Sequence, residues 1–75
     1  MRRLGEVVST AQGLLVVRCP DGGRPDIGAT AVDESLDDVG RVVDVFGPAE
    51  RPYLAITPDG GVSPAALLGA KLYAR

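Results

Sequence analysis

A chain of 75 residues with 45% apolar but only 4% aromatic residues fills one domain, residues 1–75, whose core must be built from Val, Leu, Ile and Ala. The formal charge of −2, with no basic run beyond Arg2-Arg3, excludes the electrostatic footprint of an autonomous nucleic-acid binder, and the absence of His excludes imidazole catalysis. Zinc and iron lack their usual ligands and a single Cys19 cannot form an internal disulfide, so neither metal nor cofactor is expected. No apolar run approaches the roughly 18 residues of a spanning helix, and no signal-peptide pattern precedes Leu4, so a cytoplasmic protein without membrane contact is expected.

Ten Gly and six Pro scattered without a period mark many tight turns between short strands. Leu4-Gly5-Glu6-Val7-Val8 and Leu14-Leu15-Val16-Val17-Arg18 are aliphatic runs separated by Ser9-Thr10-Ala11-Gln12-Gly13, which predicts a hairpin. Cys19-Pro20-Asp21-Gly22-Gly23-Arg24-Pro25-Asp26 concentrates turn-forming residues and predicts a surface loop. Ile27 to Val32 predicts a short strand, and Asp33-Glu34-Ser35-Leu36-Asp37-Asp38 an acidic turn. Val39 to Phe46 is the longest apolar stretch and predicts the central strand. Its alternation assigns Val39, Val43 and Val45 to one face and Val42 and Phe46 to the other, both at least half buried.

Pro48 and Pro52 cannot donate to a ladder, so Gly47-Pro48-Ala49-Glu50-Arg51-Pro52 ends that strand and Tyr53-Leu54-Ala55-Ile56-Thr57 starts the next. Pro58-Asp59-Gly60-Gly61 predicts another turn. Ser63 followed by Pro64 has the form of an N-cap and first helical residue, which predicts one helical turn. Lys71-Leu72-Tyr73-Ala74 predicts a sixth strand.

A weak internal repeat organises these pieces. Leu4-Gly5-Glu6-Val7-Val8 echoes as Val39-Gly40-Arg41-Val42-Val43, and Ile27-Gly28-Ala29-Thr30-Ala31 as Leu68-Gly69-Ala70-Lys71-Leu72. Three strands alone leave an apolar face and two raw edges, whereas two such halves can close on each other. The expected fold is therefore all-β, a small six-stranded closed barrel with a pseudo-two-fold repeat. Paired glycines are expected at its corners, where a Cβ would clash.

Most chemistry-bearing residues have plain readings. Cys19 has no His to activate it, and reads as a spare thiol at a strand end. Asp33, Glu34, Asp37 and Asp38 match no calcium loop and read as a solvated turn or a charged rim. Neither Gly22-Gly23 nor Gly60-Gly61 leads into a phosphate-binding helix. No enzyme activity through Asp38 or Asp44 is expected. The exception is Val45-Phe46-Gly47-Pro48 with Pro52-Tyr53, where aromatic residues flank a proline-stiffened tip. Two readings stay open: rigid docking anchors, which lose little rotamer entropy on binding, or plugs for the barrel end.

The segment Gly40-Arg41-Val42-Val43-Asp44-Val45-Phe46-Gly47-Pro48, with Pro52-Tyr53-Leu54-Ala55-Ile56 and Pro58 behind it, resembles the signature of the glycine-arginine-rich subunit of archaeal H/ACA RNA-guided pseudouridine synthases. Arg3-Leu4-Gly5-Glu6-Val7 and Gly69-Ala70-Lys71-Leu72-Tyr73 are similar to that family as well. The resemblance implies a barrel related to translation-factor barrels, bound to the catalytic synthase subunit and not to the guide RNA. Its implied role, in rRNA modification and ribosome biogenesis, is to tune substrate RNA loading and release by holding the synthase's mobile thumb loop open or closed.

Family members with glycine-arginine-rich or basic tails differ from these 75 residues, so no RNA contact through a tail is expected. The docking face implied runs through Val43, Val45, Phe46, Gly47, Pro48, Pro52 and Tyr53, with Arg41 and Arg51 as rim charges. No small-molecule substrate is implied. A barrel of the PRC or ribosome-maturation type, binding a ribosomal protein or a membrane complex, would share the fold. The pairing of Phe46-Gly47-Pro48 with Pro52-Tyr53 favours the synthase subunit instead. An RNA-binding translation-factor barrel is the other alternative, and the charge balance stands against it.

Overall fold

Every strand of the computed structural model, which describes residues 2–20 and 26–75, has two hydrogen-bonded neighbours. The strands are β1 (Arg2–Ala11), β2 (Leu14–Arg18), β3 (Thr30–Val32), β4 (Asp38–Phe46), β5 (Tyr53–Pro58) and β6 (Lys71–Ala74). They close in the order β1-β2-β5-β4-β3-β6, and each pairing is antiparallel. The expected six-stranded closed β-barrel is thus the observed one, and closure removes the unpaired edges that any three strands would expose. Positions 21–25 of the expected surface loop lie outside the described residues.

The strand ends shift from the expected ones for local reasons. β1 continues to Ala11, and the reversal shrinks to Gln12-Gly13, with φ of 53° and 79°. Two successive positive φ values make the tight turn whose twist matches that of the flanking strands. β3 begins only at Thr30, because Gly28 turns the chain at φ 95° before pairing starts. The single 3-10 turn at Pro64–Leu67 forms with Pro64 at its start, but the Ser63 side chain makes no capping bond. Among the described residues no helix is long and apolar enough to cross a membrane.

The core is aliphatic. Leu15, Leu54, Ile56, Leu72, Val7, Val17, Val32, Val42 and Cys19 are its largest fully buried side chains, and among the described residues no charged or polar residue joins them. Burying each Leu or Ile contributes about 1.5–3 kcal/mol relative to exposure, so the interior of this small chain depends on close packing and not on aromatic bulk.

The face assignment expected for β4 is corrected here. Val39 and Val42 both point into the core, whereas Val43 is 42% exposed. The register of β4 on β5 slips between Val42 and Asp44, and that of β4 on β3 slips opposite Val39. Each bulge inserts a residue and resets the two-residue alternation. One face of β4 is therefore buried and the other is largely open.

The same devices occur on β1. Its register slips between Val7 and Ser9 against β2, and between Arg3 and Gly5 against β6. Two loop segments then clasp these strands. Gly28 N donates to Val42 O at 2.8 Å and Val42 N to Ala29 O at 3.0 Å; Gly69 N donates to Val7 O at 2.8 Å and Val7 N to Ala70 O at 2.9 Å. Gly28 and Gly69 have φ of 95° and 84°, a region that favours glycine.

Candidate docking face

The β4–β5 hairpin presents the two aromatic residues singled out in the sequence. Phe46 and Tyr53 are the last matched pair before the tip at residues 47–52, so their side chains leave the barrel on the same outer face. The rings stack with centroids 5.6 Å apart and planes at 20°, and Phe46 is 44% exposed while Tyr53 is half-buried. They do not plug the barrel interior.

Backbone chemistry holds the stack. Gly47 reverses the chain at φ 90°, and a Cβ there would come within 2.9 Å of Tyr53 Cδ2, so glycine lets the ring lie against the tip. Arg51 N donates to Pro48 O at 3.2 Å, closing a turn that the two prolines stiffen. On the other side of the stack, Arg18 stands opposite Tyr53 across β2 and β5. Its Cζ lies 5.2 Å from the ring centroid and its Nη1 donates to Tyr53 Oη at 2.9 Å. A stacked pair and a guanidinium contact contribute about 0.5–1.5 kcal/mol and about 0.5–1 kcal/mol at exposed sites. Tyr53 is thus pinned from both sides, whereas Phe46 keeps its outer ring face free.

The remaining expected residues divide. Val43 is exposed through its bulge, and Gly47 and Pro48 are exposed at the tip. Val45 packs against the core and shows little of itself. Pro52 is buried, and its carbonyl accepts a bond from Cys19 N at 3.0 Å, so it positions the tip and is withdrawn from the outer face. Arg51 is at the tip, with its Nε donating to Cys19 O at 3.1 Å. Arg41 faces out but stands opposite Thr57 and Thr30, five residues before Phe46 and therefore roughly 16 Å along the strand. It lies away from the aromatic pair.

Arg18 is the neighbour that sequence reading missed. Its signal is a lone cation closing the aliphatic run Leu14–Arg18, in a strand whose partner had yet to be placed. Among the described residues no group of three or more His, Cys, Asp or Glu is arranged to hold a metal ion.

Cys19 follows β2 and is part of the core, more enclosed than a spare thiol at a strand end. Burial pushes its thiol above the ordinary 9.0. The folded state therefore favours the protonated thiol, so this contribution to stability is fully present below pH 9.0 and is lost as pH rises through the higher folded value. At pH 8, iodoacetamide is expected to label native Cys19 at least about tenfold more slowly than the urea-unfolded chain. Equal rates would show that the thiol is open to solvent.

Compared with known proteins, the chain matches no protein-family model and no curated sequence.

Proposed function

We propose that this chain is a non-catalytic accessory subunit that docks through the β4–β5 tip onto the catalytic subunit of an H/ACA RNA-guided pseudouridine synthase. The observation that carries the reading is the exposed Phe46 stacked on a pinned Tyr53, within the segment that resembles that family's signature. An aromatic anchor fixed before binding loses little rotamer entropy when a partner covers it. Val43 and Pro48 extend the apolar surface and Arg51 supplies a charge at its rim.

A subunit of this kind acts on catalysis only through different affinities for two conformations of the synthase. A preference of about 1.4 kcal/mol for an open or a closed thumb loop shifts their ratio about tenfold. That bias is the proposed means of promoting substrate RNA loading and release.

The fold itself fits an ancient duplication, as in translation-factor barrels. Exchanging β1 with β4, β2 with β5 and β3 with β6 carries the set of strand pairings onto itself. The bulges at Val8 and Val43, and the clasps of Gly69-Ala70 on Val7 and of Gly28-Ala29 on Val42, fall at corresponding places. These coincidences support the repeat read from the sequence.

Docking is tested by co-purification with the synthase subunit. Phe46→Ala and Tyr53→Ala are each expected to weaken capture by at least about 1 kcal/mol while leaving the far-ultraviolet circular dichroism of the barrel unchanged. Unaltered affinity in both variants would move the interface to another face.

A further inference from the structure

β1 outruns its neighbour. Its pairing with β6 ends at Glu6 and Lys71, and the Gly69-Ala70 clasp covers Val7, but the strand continues to Ala11. Beyond the clasp the loop leaves it, since Leu68 N turns back to Ala65 O at 3.5 Å. Val8, Ser9, Thr10 and Ala11 are all exposed, and among the described residues only β2 runs beside them. The closed barrel therefore keeps a short open edge here.

Hydrogen bonding along that edge is unfinished. The two-residue turn at Gln12-Gly13 makes Ala11 and Leu14 the pair that exchanges both ladder bonds, so the next pair, Thr10 and Leu15, turns its N–H and C=O groups away from the partner strand. Thr10 O receives a long bond of 3.4 Å from Ser9 Oγ, while Thr10 N makes no loop or side-chain bond among the described residues. β4 supplies the contrast. It also runs past β3 and its clasp, but there Asp44 Oδ1 accepts the Val45 N–H at 2.8 Å, and a carboxylate on an edge turns other strands away. Ser9, which precedes Thr10 as Asp44 precedes Val45, gives no such cover.

The surface around the β1 edge carries no charge of its own. Residues 7–17 and 60–70 hold none of the chain's 8 basic and 10 acidic residues, and the clasp brings the two stretches together. Leu68, 54% exposed, stands at the clasp next to Val8, 46% exposed.

We propose that this edge is a self-association surface, which pairs with the same edge of a second copy of this chain in an antiparallel, two-fold arrangement. A two-fold axis at Thr10 lets each copy's Thr10 N–H donate to the other's Thr10 carbonyl, so one residue supplies both partners of the bond pair. Ser9 then faces the second copy's Ala11, and each Gln12-Gly13 turn comes over the other copy's Val8 and Leu68. An uncharged face meets itself without repulsion and offers a charged partner nothing to select, which is why a second copy fits it better than a foreign strand. Because β1, β2, β5 and β4 alternate in direction, this edge and the β4–β5 tip lie at opposite ends of the barrel, and pairing leaves Phe46 and Tyr53 free. The dimer does not rest on the docking reading.

The test is sedimentation equilibrium of the intact chain, from about 1 μM to about 1 mM because so small an interface is expected to be transient. The mass is expected to rise from that of one chain to that of two and no further. Ser9→Asp, which copies the Asp44 arrangement onto β1, is expected to weaken association at least about tenfold. Thr10→Pro deletes the donor at an edge position that tolerates proline, and is expected to do the same. Circular dichroism checks that both variants fold; if Thr10→Pro does not, Ser9→Asp decides. Deuterium exchange at the Thr10 amide is expected to slow as the chain is concentrated.

The mass of a single chain at every concentration, growth beyond two copies, or association undiminished by Ser9→Asp would overturn the proposal. So would exchange at Thr10 that is equally fast at both ends of the concentration range.

Discussion

Replacing Gly5 by alanine is expected to cost at least about 3 kcal/mol and to leave little folded protein, through overpacking and backbone strain acting together. An added Cβ would overlap the Arg18 carbonyl oxygen and lie 2.8 Å from its carbon and 3.1 Å from Cys19 Cα. All of these are backbone atoms, held by β1 on one side and β5 on the other, so no rotamer change relieves the clash. Gly5 also has φ 140°, where a side chain is strained even with space around it.

Gly40→Ala separates the two causes. Its Cβ would overlap the Thr57 carbonyl oxygen and meet Pro58 Cα at 3.0 Å, while its φ lies outside the left-handed region. The steric part alone is expected to cost about 2–3 kcal/mol. A chain of this size has roughly 4–11 kcal/mol of stability in all, from 0.05–0.15 kcal/mol per residue. Urea denaturation midpoints check both changes. A loss below about 1 kcal/mol at each position would mean that β1 and β4 can shift relative to their neighbours.

Leu54→Ala is expected to destabilise the barrel by about 2–5 kcal/mol, as does loss of a fully enclosed leucine from a core that relaxes only in part. Leu54 lies opposite Val17 and Val45 and is shielded completely from solvent. Leu15→Ala, on the neighbouring β2, is expected to fall in the same range, since it is equally enclosed. Leu68→Ala, at an exposed leucine, is expected to stay within about 0.5 kcal/mol. Thermal or urea unfolding of the three variants checks the ordering. A cost under about 1 kcal/mol for Leu54→Ala would show an interior loose enough to collapse around the gap.

The barrel was largely legible because its strands are short aliphatic runs cut by Gly and Pro, and because six of them with repeated signatures leave few ways to bury one face. What failed was alternation along β4. Val39 and Val42 share the core because two bulges break the period, and a bulge is a property of paired strands that one strand cannot announce. Gly28 reads as strand in the sequence for a similar reason: its positive φ accompanies the clasp onto Val42, a contact far along the chain.

At the candidate site, Phe46 and Tyr53 were found by their proximity to Pro48 and Pro52, whereas the direction of each side chain was not. Pro52 turned inward because its carbonyl serves Cys19. Arg18 went unnoticed because its meaning depends on Tyr53, which lies 35 residues away and becomes its neighbour only when β2 and β5 pair.

The two glycine-alanine clasps cross over, Gly28-Ala29 gripping Val42 on β4 and Gly69-Ala70 gripping Val7 on β1. Peeling either portion away would therefore strip hydrogen bonds from both at once, so the molecule opens as a whole or stays shut. Amide protons at Val7 and Val42 should exchange with deuterium at similar, slow rates, as two bolts on one door.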